Sequence, residues 1–266
     1  MEQILTSPEP MKKELSPVGE LIKKSAAIYR EIFLKFIGMG LMPVLGGLAL
    51  GVIFALFFAS QFLGISGAAN SLILVVLGLL GLISLVATIY LGLVSQVGLI
   101  MILRNFSLNK TAENFKQVFR EAGAYAGAYL VVGLLVFILT FLWSLLLIIP
   151  GIIFGVFYSL ASYALVLENY RAMAALKRSK ELIKGYWWPV VGRSVLAGLI
   201  ILIIRMILSI PLVAFEEGSV MSVVWSMVLS VFGFLASQVY LIFSYLIFKD
   251  LVRIKGDNQA AQPVVN

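Results

Sequence analysis

The sequence predicts an all-α polytopic membrane protein: six transmembrane helices arranged as three hairpins, each preceded by an interfacial amphipathic helix. Three observations predict it. Mean hydropathy is +1.05 and only 12% of the 266 residues are charged, a balance foreign to water-soluble domains. Two long runs carry no charge at all, Phe36–Leu103 and Ala122–Leu167, with 68 and 46 residues. Each is long enough for two spans of about 20 residues. Finally, all but two of the 20 Lys and Arg lie outside the apolar runs, in segments that fall on one side of the membrane when the hairpins are counted. That is the positive-inside bias.

The same composition excludes several functions. A net charge of +7 in a soluble chain points to nucleic acid, but here the charges mark orientation and no nucleic-acid motif accompanies them. With no cysteine and no histidine, disulfides, Cys or His zinc sites, Cys or Ser–His nucleophiles and histidine-ligated haem are excluded. No cofactor or metal is expected, and no mid-membrane acid is present to serve catalysis, so the expectation is a non-enzymatic protein. Residues 1–16 hold three Glu and two Pro where a secretory signal is apolar, so the first span is expected to be an uncleaved anchor.

In chain order, residues 1–16 are expected to form a disordered tail before a single six-span domain over 17–255. From Val18 to Lys35, Glu20, Lys23, Lys24, Arg30, Glu31 and Lys35 fall on one side of a helix. Leu21, Ile22, Ser25, Ile28, Tyr29, Ile32, Phe33 and Phe36 fall on the other, the pattern of a helix lying in the headgroup plane. Two spans follow, parted at Gly64–Ser71. In the first, Gly47, Gly51, Ala55 and Ala59 form a small-residue face for close packing. The second, about Leu72–Leu103, is longer than a bilayer needs and must tilt or project. Its Ser84, Thr88 and Ser95 suit either packing or a polar path. Asn109–Glu121 is a third, weaker surface segment.

The middle apolar run is expected to reverse at Pro150–Gly151, since proline cannot extend the preceding helix and glycine permits a sharp turn. Gly151, Gly155, Ser159 and Ser162 then give the fourth span a small face. Glu168 is the first charge after it, a cap for the next helix or a partner for nearby cations, with a proton-coupling carboxylate as the alternative. Beyond Arg171 a basic helix carries Lys177, Arg178, Lys180, Glu181 and Lys184 on one half, against Ala172, Ala175, Leu176, Leu182, Ile183 and Tyr186 on the other, with Ser179 among these. Gly185 ends it and Trp187–Trp188 anchor the next span at the interface. The fifth span is expected over about Trp187–Pro211, a turn at Glu216–Gly218, and the sixth span over about Val220–Phe248. Residues 256–266 are expected to be a second disordered tail.

An internal repeat organises this layout. A shift of 154 residues lays Leu21–Ser25 on Ala175–Ser179, Phe33 on Trp187, and Ile37–Gly38 on Val191–Gly192. The units run over about 18–104, 109–168 and 171–253, the middle one degenerate. Three hairpins place both termini on the basic, cytoplasmic side.

IPGIIF (Ile149–Phe154), ALVLE (Ala164–Glu168) and ALKRSKELIKGYWW (Ala175–Trp188) resemble the membrane domain attached to some bacterial glycerophosphodiester phosphodiesterases and its stand-alone relatives of unknown function. The resemblance covers the second half closely and the first repeat weakly. In that family hydrolysis belongs to a separate metal-dependent barrel that uses histidines. This chain has no histidine and no room for the barrel, so the resemblance implies a polytopic membrane domain with surface helices and not an activity.

The candidate sites follow. Arg193 and Arg205 are the charges inside spans, where arginine costs about 3 kcal/mol at mid-bilayer. Arg193 is near enough to the cytoplasmic end to snorkel. Arg205, six residues before Pro211, reaches either the outer interface and Glu216 or Glu217, or a lipid phosphate or substrate. Ser219, Ser222, Ser226, Ser230, Gly233, Ser237 and Ser244 form a stripe on the sixth span and its entry, either a packing face or a hydrophilic lining. The basic helix, through Lys177, Arg178, Lys180 and Lys184, is expected to attract anionic headgroups. The sequence therefore reads as a non-enzymatic scaffold or lipid-interacting module of a prokaryotic plasma membrane, whose partners are the bilayer and a second copy or another membrane protein. The alternative is a small-solute transporter or channel using Arg205 and the serine face.

Overall fold

The computed structural model describes residues 14–62, 68–108 and 114–260. They form α1 (Val18–Gly40), α2 (Met42–Phe62), α3 (Ala68–Ser107), α4 (Phe115–Leu146), α5 (Ile148–Tyr158), α6 (Ala161–Leu167), α7 (Met173–Ile183), α8 (Trp187–Ser209) and α9 (Val220–Ala260). A 3-10 turn over Ile210–Ala214 follows α8, and no strand occurs among the described residues. Six helical stretches are long and apolar enough to cross a membrane: Val18–Phe62, Ser71–Ser107, Phe115–Leu145, Ile148–Leu167, Trp187–Ala214 and Val220–Gly256. The protein is an all-α, multi-pass membrane protein.

Several boundaries depart from the sequence reading. The first surface helix extends to Gly40 and pivots at Leu41, so Phe36 and Met39 lie at its buried end, not in the first span. Pro43 sits in the first turn of α2, where its missing N–H disturbs nothing. The third surface segment is not a separate helix, because Phe115–Glu121 forms the opening turns of α4; its residues 109–113 lie outside the described residues, as do 64–67 of the first loop. The middle run reverses at Leu147, whose backbone is extended, and not at Pro150–Gly151. Proline is equally at home in the first turn of α5, where it stands. Gly151 serves close approach, since a Cβ there would meet Ser144 Cα at 2.8 Å.

The expected tails are shorter than drawn. Leu15 and Ser16 are buried, and α9 continues to Ala260; residues 1–13 and 261–266 lie outside the described residues.

The described chain divides into two compact units. The first gathers the described parts of Met1–Glu31, Val136–Ala164 and Met173–Asn266. Its core joins the apolar side of α7 to α5 and to the inner end of α9. Leu176, Leu182, Ile183, Ile242 and Leu251 are all but fully buried there, each contributing about 1.5–3 kcal/mol by leaving water. Away from this core, most side chains of α8 and of Val220–Leu241 are exposed or half-buried, as lipid-facing helices must be without lipid around them.

The second unit comprises Ile32–Leu135 and Leu165–Ala172. Here α2 packs along α3 through Gly46, where a Cβ would lie 2.9 Å from Thr88 Cα, and Ser84 Oγ donates to Gly46 O at 3.4 Å. The expected packing face of Gly47, Gly51, Ala55 and Ala59 is instead exposed. Gly46 and Ser60, one helical face over, are the buried pair. Ser84 and Ser95 are buried and Thr88 Oγ1 donates to Ser84 O at 2.7 Å, so these hydroxyls pack. Val94–Leu103 makes the inner end of α3 a nearly continuous buried stretch.

Candidate functional site

The basic helix α7 is docked in the core of the first unit. Ala175, Leu176, Ser179, Leu182 and Ile183 are buried, whereas Lys177, Lys180, Glu181 and Lys184 are exposed and Arg178 is half-buried. The 3.6-residue period thus separates the two faces as the sequence implies. The apolar face is covered by α5 and α9, so protein occupies the surface that the headgroup-plane reading gives to lipid.

Ser179 explains why α7 docks where it does. The fourth apolar stretch breaks at Ser159–Leu160, between α5 and α6. Ser179 Oγ donates to Phe157 O at 2.7 Å and accepts from Leu160 N–H at 3.2 Å. One hydroxyl thereby closes both backbone groups that the break exposes. Trp187 Nε1 donates to Ile153 O at 3.3 Å and Lys180 Nζ stands 5.4 Å from the Phe154 ring centre, fastening both ends of the joint. Of the two interfacial tryptophans, Trp187 is therefore used internally and Trp188 is exposed. At the far end of α7, Gly185 takes a φ of +87°, and Lys255 Nζ donates to Lys184 O at 2.9 Å while lying 5.6 Å from the Tyr186 ring centre. A cation on the last carbonyls suits the negative end of the helix dipole.

Arg193 reaches back toward the start of α8 and is held there by backbone carbonyls. Its Nε donates to Ser16 O at 2.8 Å, Nη2 to Leu15 O at 2.7 Å and Nη1 to Pro189 O at 3.0 Å. Ser16 N–H in turn donates to Asp250 Oδ2 at 3.1 Å, and Arg253 Nη2 lies 3.8 Å from Asp250 Oδ1. The start of the described chain is thus strapped across α8 and α9 by a guanidinium and a carboxylate.

Arg205 points the other way from its expected exit. Helical side chains lean toward the helix N-terminus, which carries this guanidinium away from Glu216 and Glu217. Nη1 stands 3.4 Å from a Cβ built at Gly233, 13 residues or about 20 Å along α9 from Val220. Among the described residues no hydrogen bond or ion pair holds it, and the side chain is exposed. The fold therefore brings Arg205 onto the stripe of Ser226, Ser230, Gly233 and Ser237. Ser226, Ser230 and Ser237 are exposed among the described residues. Their hydroxyls donate to Ser222 O, Ser226 O and Phe234 O at 2.8, 2.9 and 2.7 Å, leaving only oxygen lone pairs outward.

Glu168 belongs to the second unit. It follows α6, half-buried, five residues before Met173, and so is no cap for α7. Asn169 and Ala172, with φ of 59° and 45°, turn the chain between the two helices. Sequence reasoning missed the partners Ser16, Asp250 and Lys255, which no periodicity singles out. It also missed Gln238, a carboxamide within the sixth apolar run, whose Oε1 is buried with no hydrogen-bond partner among the described residues. Among those residues no cluster of acidic side chains could hold a metal. Comparison of the chain with protein-family models, with curated proteins and with solved structures finds no match.

Proposed function

We propose that the protein is a non-enzymatic, lipid-interacting membrane module whose Arg205 engages a phospholipid phosphate. The observation that carries this reading is the position of the guanidinium. It lies exposed on the α8–α9 surface beside Gly233, with no ion pair to an anion among the described residues. A charge at that depth costs about 3 kcal/mol on insertion scales unless it meets a counter-charge. On a lipid-facing surface the available anion is a phosphate drawn inward by the arginine. Small serine and glycine side chains on the facing helix leave room for it.

The basic face of α7 belongs to the same reading. Lys177, Lys180 and Lys184 would rest against anionic headgroups on the cytoplasmic side of a prokaryotic plasma membrane, each adding about 1 kcal/mol of attraction. A solute path is the competing use of Arg205 and the serine face, and a second copy or another membrane protein seated there is the other. In nanodiscs of mixed phosphatidylcholine and phosphatidylglycerol, Arg205→Ala should lose tightly retained phospholipid, and Arg205→Lys should keep much of it. Solute flux through proteoliposomes that Arg205→Ala abolishes would replace the lipid reading with transport.

A further inference from the structure

We infer that the middle hairpin, formed by the end of α4 and α5, enters only the leaflet on the side of the basic helix α7, where its partner is the acyl chains of that leaflet. Three tethers within the first unit set its depth. Trp187 Nε1 reaches Ile153 O, so the start of α8 stands near the level of Ile153. From Trp187 to Ser209 α8 rises about 33 Å, whereas from Ile153 to Ile148 α5 rises about 8 Å. Tyr163 Oη donates to Leu241 O at 2.9 Å, at the point where α9 passes from mostly exposed to mostly buried. Leu241 is about 32 Å from Val220 along α9, against about 23 Å from Tyr163 to Ile148 along a straight helix, and the chain bends between them at Ser159–Leu160. The third tether is Lys180 against the Phe154 ring, six residues or about 9 Å from Ile148. A hydrocarbon core of about 30 Å is not crossed from there.

The tip itself is built for hydrocarbon. Leu145, Leu147, Ile148 and Ile149 are 65–75% exposed, and the nearest polar side chain in sequence is Ser144, one turn before Leu147 on α4. In contrast, the turn between α8 and α9 shows exposed Glu216 and Glu217. Four large aliphatics at a tip in water would make an apolar patch, whereas inside a leaflet they need no cover. Two of the tip's N–H groups are bonded within it, Leu147 N–H to Trp143 O at 3.1 Å and Gly151 N–H to Leu147 O at 3.3 Å, and Pro150 brings no N–H that would need a partner in lipid.

The last turns of α4 share this depth, because Trp143 stacks on Phe154 at 4.3 Å and Thr140 Cγ2 meets a Cβ built at Gly155 at 3.4 Å. Within the second unit, α3 meets the start of α4 at two points. Arg104 Nη2 lies 3.9 Å from Glu121 Oε2, and Tyr90 Oη lies 2.9 Å from a Cβ built at Gly123. About 21 Å of α3 thus reaches two neighbouring positions of α4, so the helices cross obliquely. This inference goes beyond the lipid reading and does not involve Arg205, so either can fail alone.

The test uses the natural absence of cysteine. Full-length protein carrying L147C, or I149C as a second variant, is placed in sealed phosphatidylcholine–phosphatidylglycerol vesicles and treated with a membrane-impermeant maleimide from each side. E217C and K177C report the two aqueous faces. Loss of labelling at position 147 or 149 from both sides, restored by detergent, is expected. A bimane at the same position should be quenched more by lipid spin labels near the chain end than by labels near the headgroup. Labelling together with E217C would restore a full crossing, labelling together with K177C would put the hairpin outside the membrane, and stronger quenching by the headgroup label would do the same; each overturns the proposal.

Discussion

α1 and α7 are written in the same pattern and put to different use. Leu21–Ser25 corresponds to Ala175–Ser179 at an offset of 154 residues, and in both helices the apolar side is largely buried and the basic side largely exposed. Their serines diverge. Ser25 Oγ donates to Leu21 O at 2.7 Å within its own helix, whereas Ser179 closes the break between α5 and α6. Their ends diverge as well. Glu31 sits inside an unbroken helix that runs to Gly40, while Gly185, at the corresponding position, turns the chain after Ile183. An amphipathic pattern fixes which face is buried; a single residue at its end decides whether the helix stops, and what its hydroxyl meets decides whether it is structural.

Substitutions at paired positions test this contrast. The largest difference is expected at the serines. Ser179→Ala strands a buried N–H and a carbonyl and should lower stability by about 1–3 kcal/mol, whereas Ser25→Ala frees no backbone group and should change it by less than about 0.5 kcal/mol. Thermal unfolding in detergent compares them, and equal losses would remove the distinction. Next come the helix ends. Gly185→Val forces a branched residue into left-handed backbone and should cost about 1–2 kcal/mol, while Glu31→Gly should cost about 1 kcal/mol by loosening a continuous helix. Denaturant midpoints read both, and a neutral Gly185→Val would mean that α7 is terminated elsewhere. The smallest effect is expected at Lys255, which has no counterpart on α1. Lys255→Met should lose about 0.5 kcal/mol of C-terminal charge complementarity, and the loss should shrink in high salt.

Features carried by local periodicity were legible in the sequence. The faces of α7 and the apolar lengths of the spans follow from spacings of three and four, and the structure keeps them. Signals with two physical meanings were not. Pro150 suits a turn or a first helical turn, and the ladder of Gly47, Gly51, Ala55 and Ala59 drew attention away from Gly46, the small residue at which α2 and α3 meet closely. Ser179 did leave a trace, because a hydroxyl on an apolar face must bond something, although its partners lie 19 and 22 residues upstream. Arg205 announced a buried-charge problem, and its lean toward Gly233 was available from the helix direction alone. Two of the three carbonyl partners of Arg193 were out of reach, since they are 177 and 178 residues away.

That last separation has a bearing on biosynthesis. Leu15 and Ser16 leave the ribosome long before the arginine and aspartate that grip them, the latter 234 residues downstream of Ser16. During insertion the early helices must therefore sit in the translocation machinery with their leading segment unfastened. The buckle closes only after α9 has been made, so the first described residues of the chain are the last to find their place.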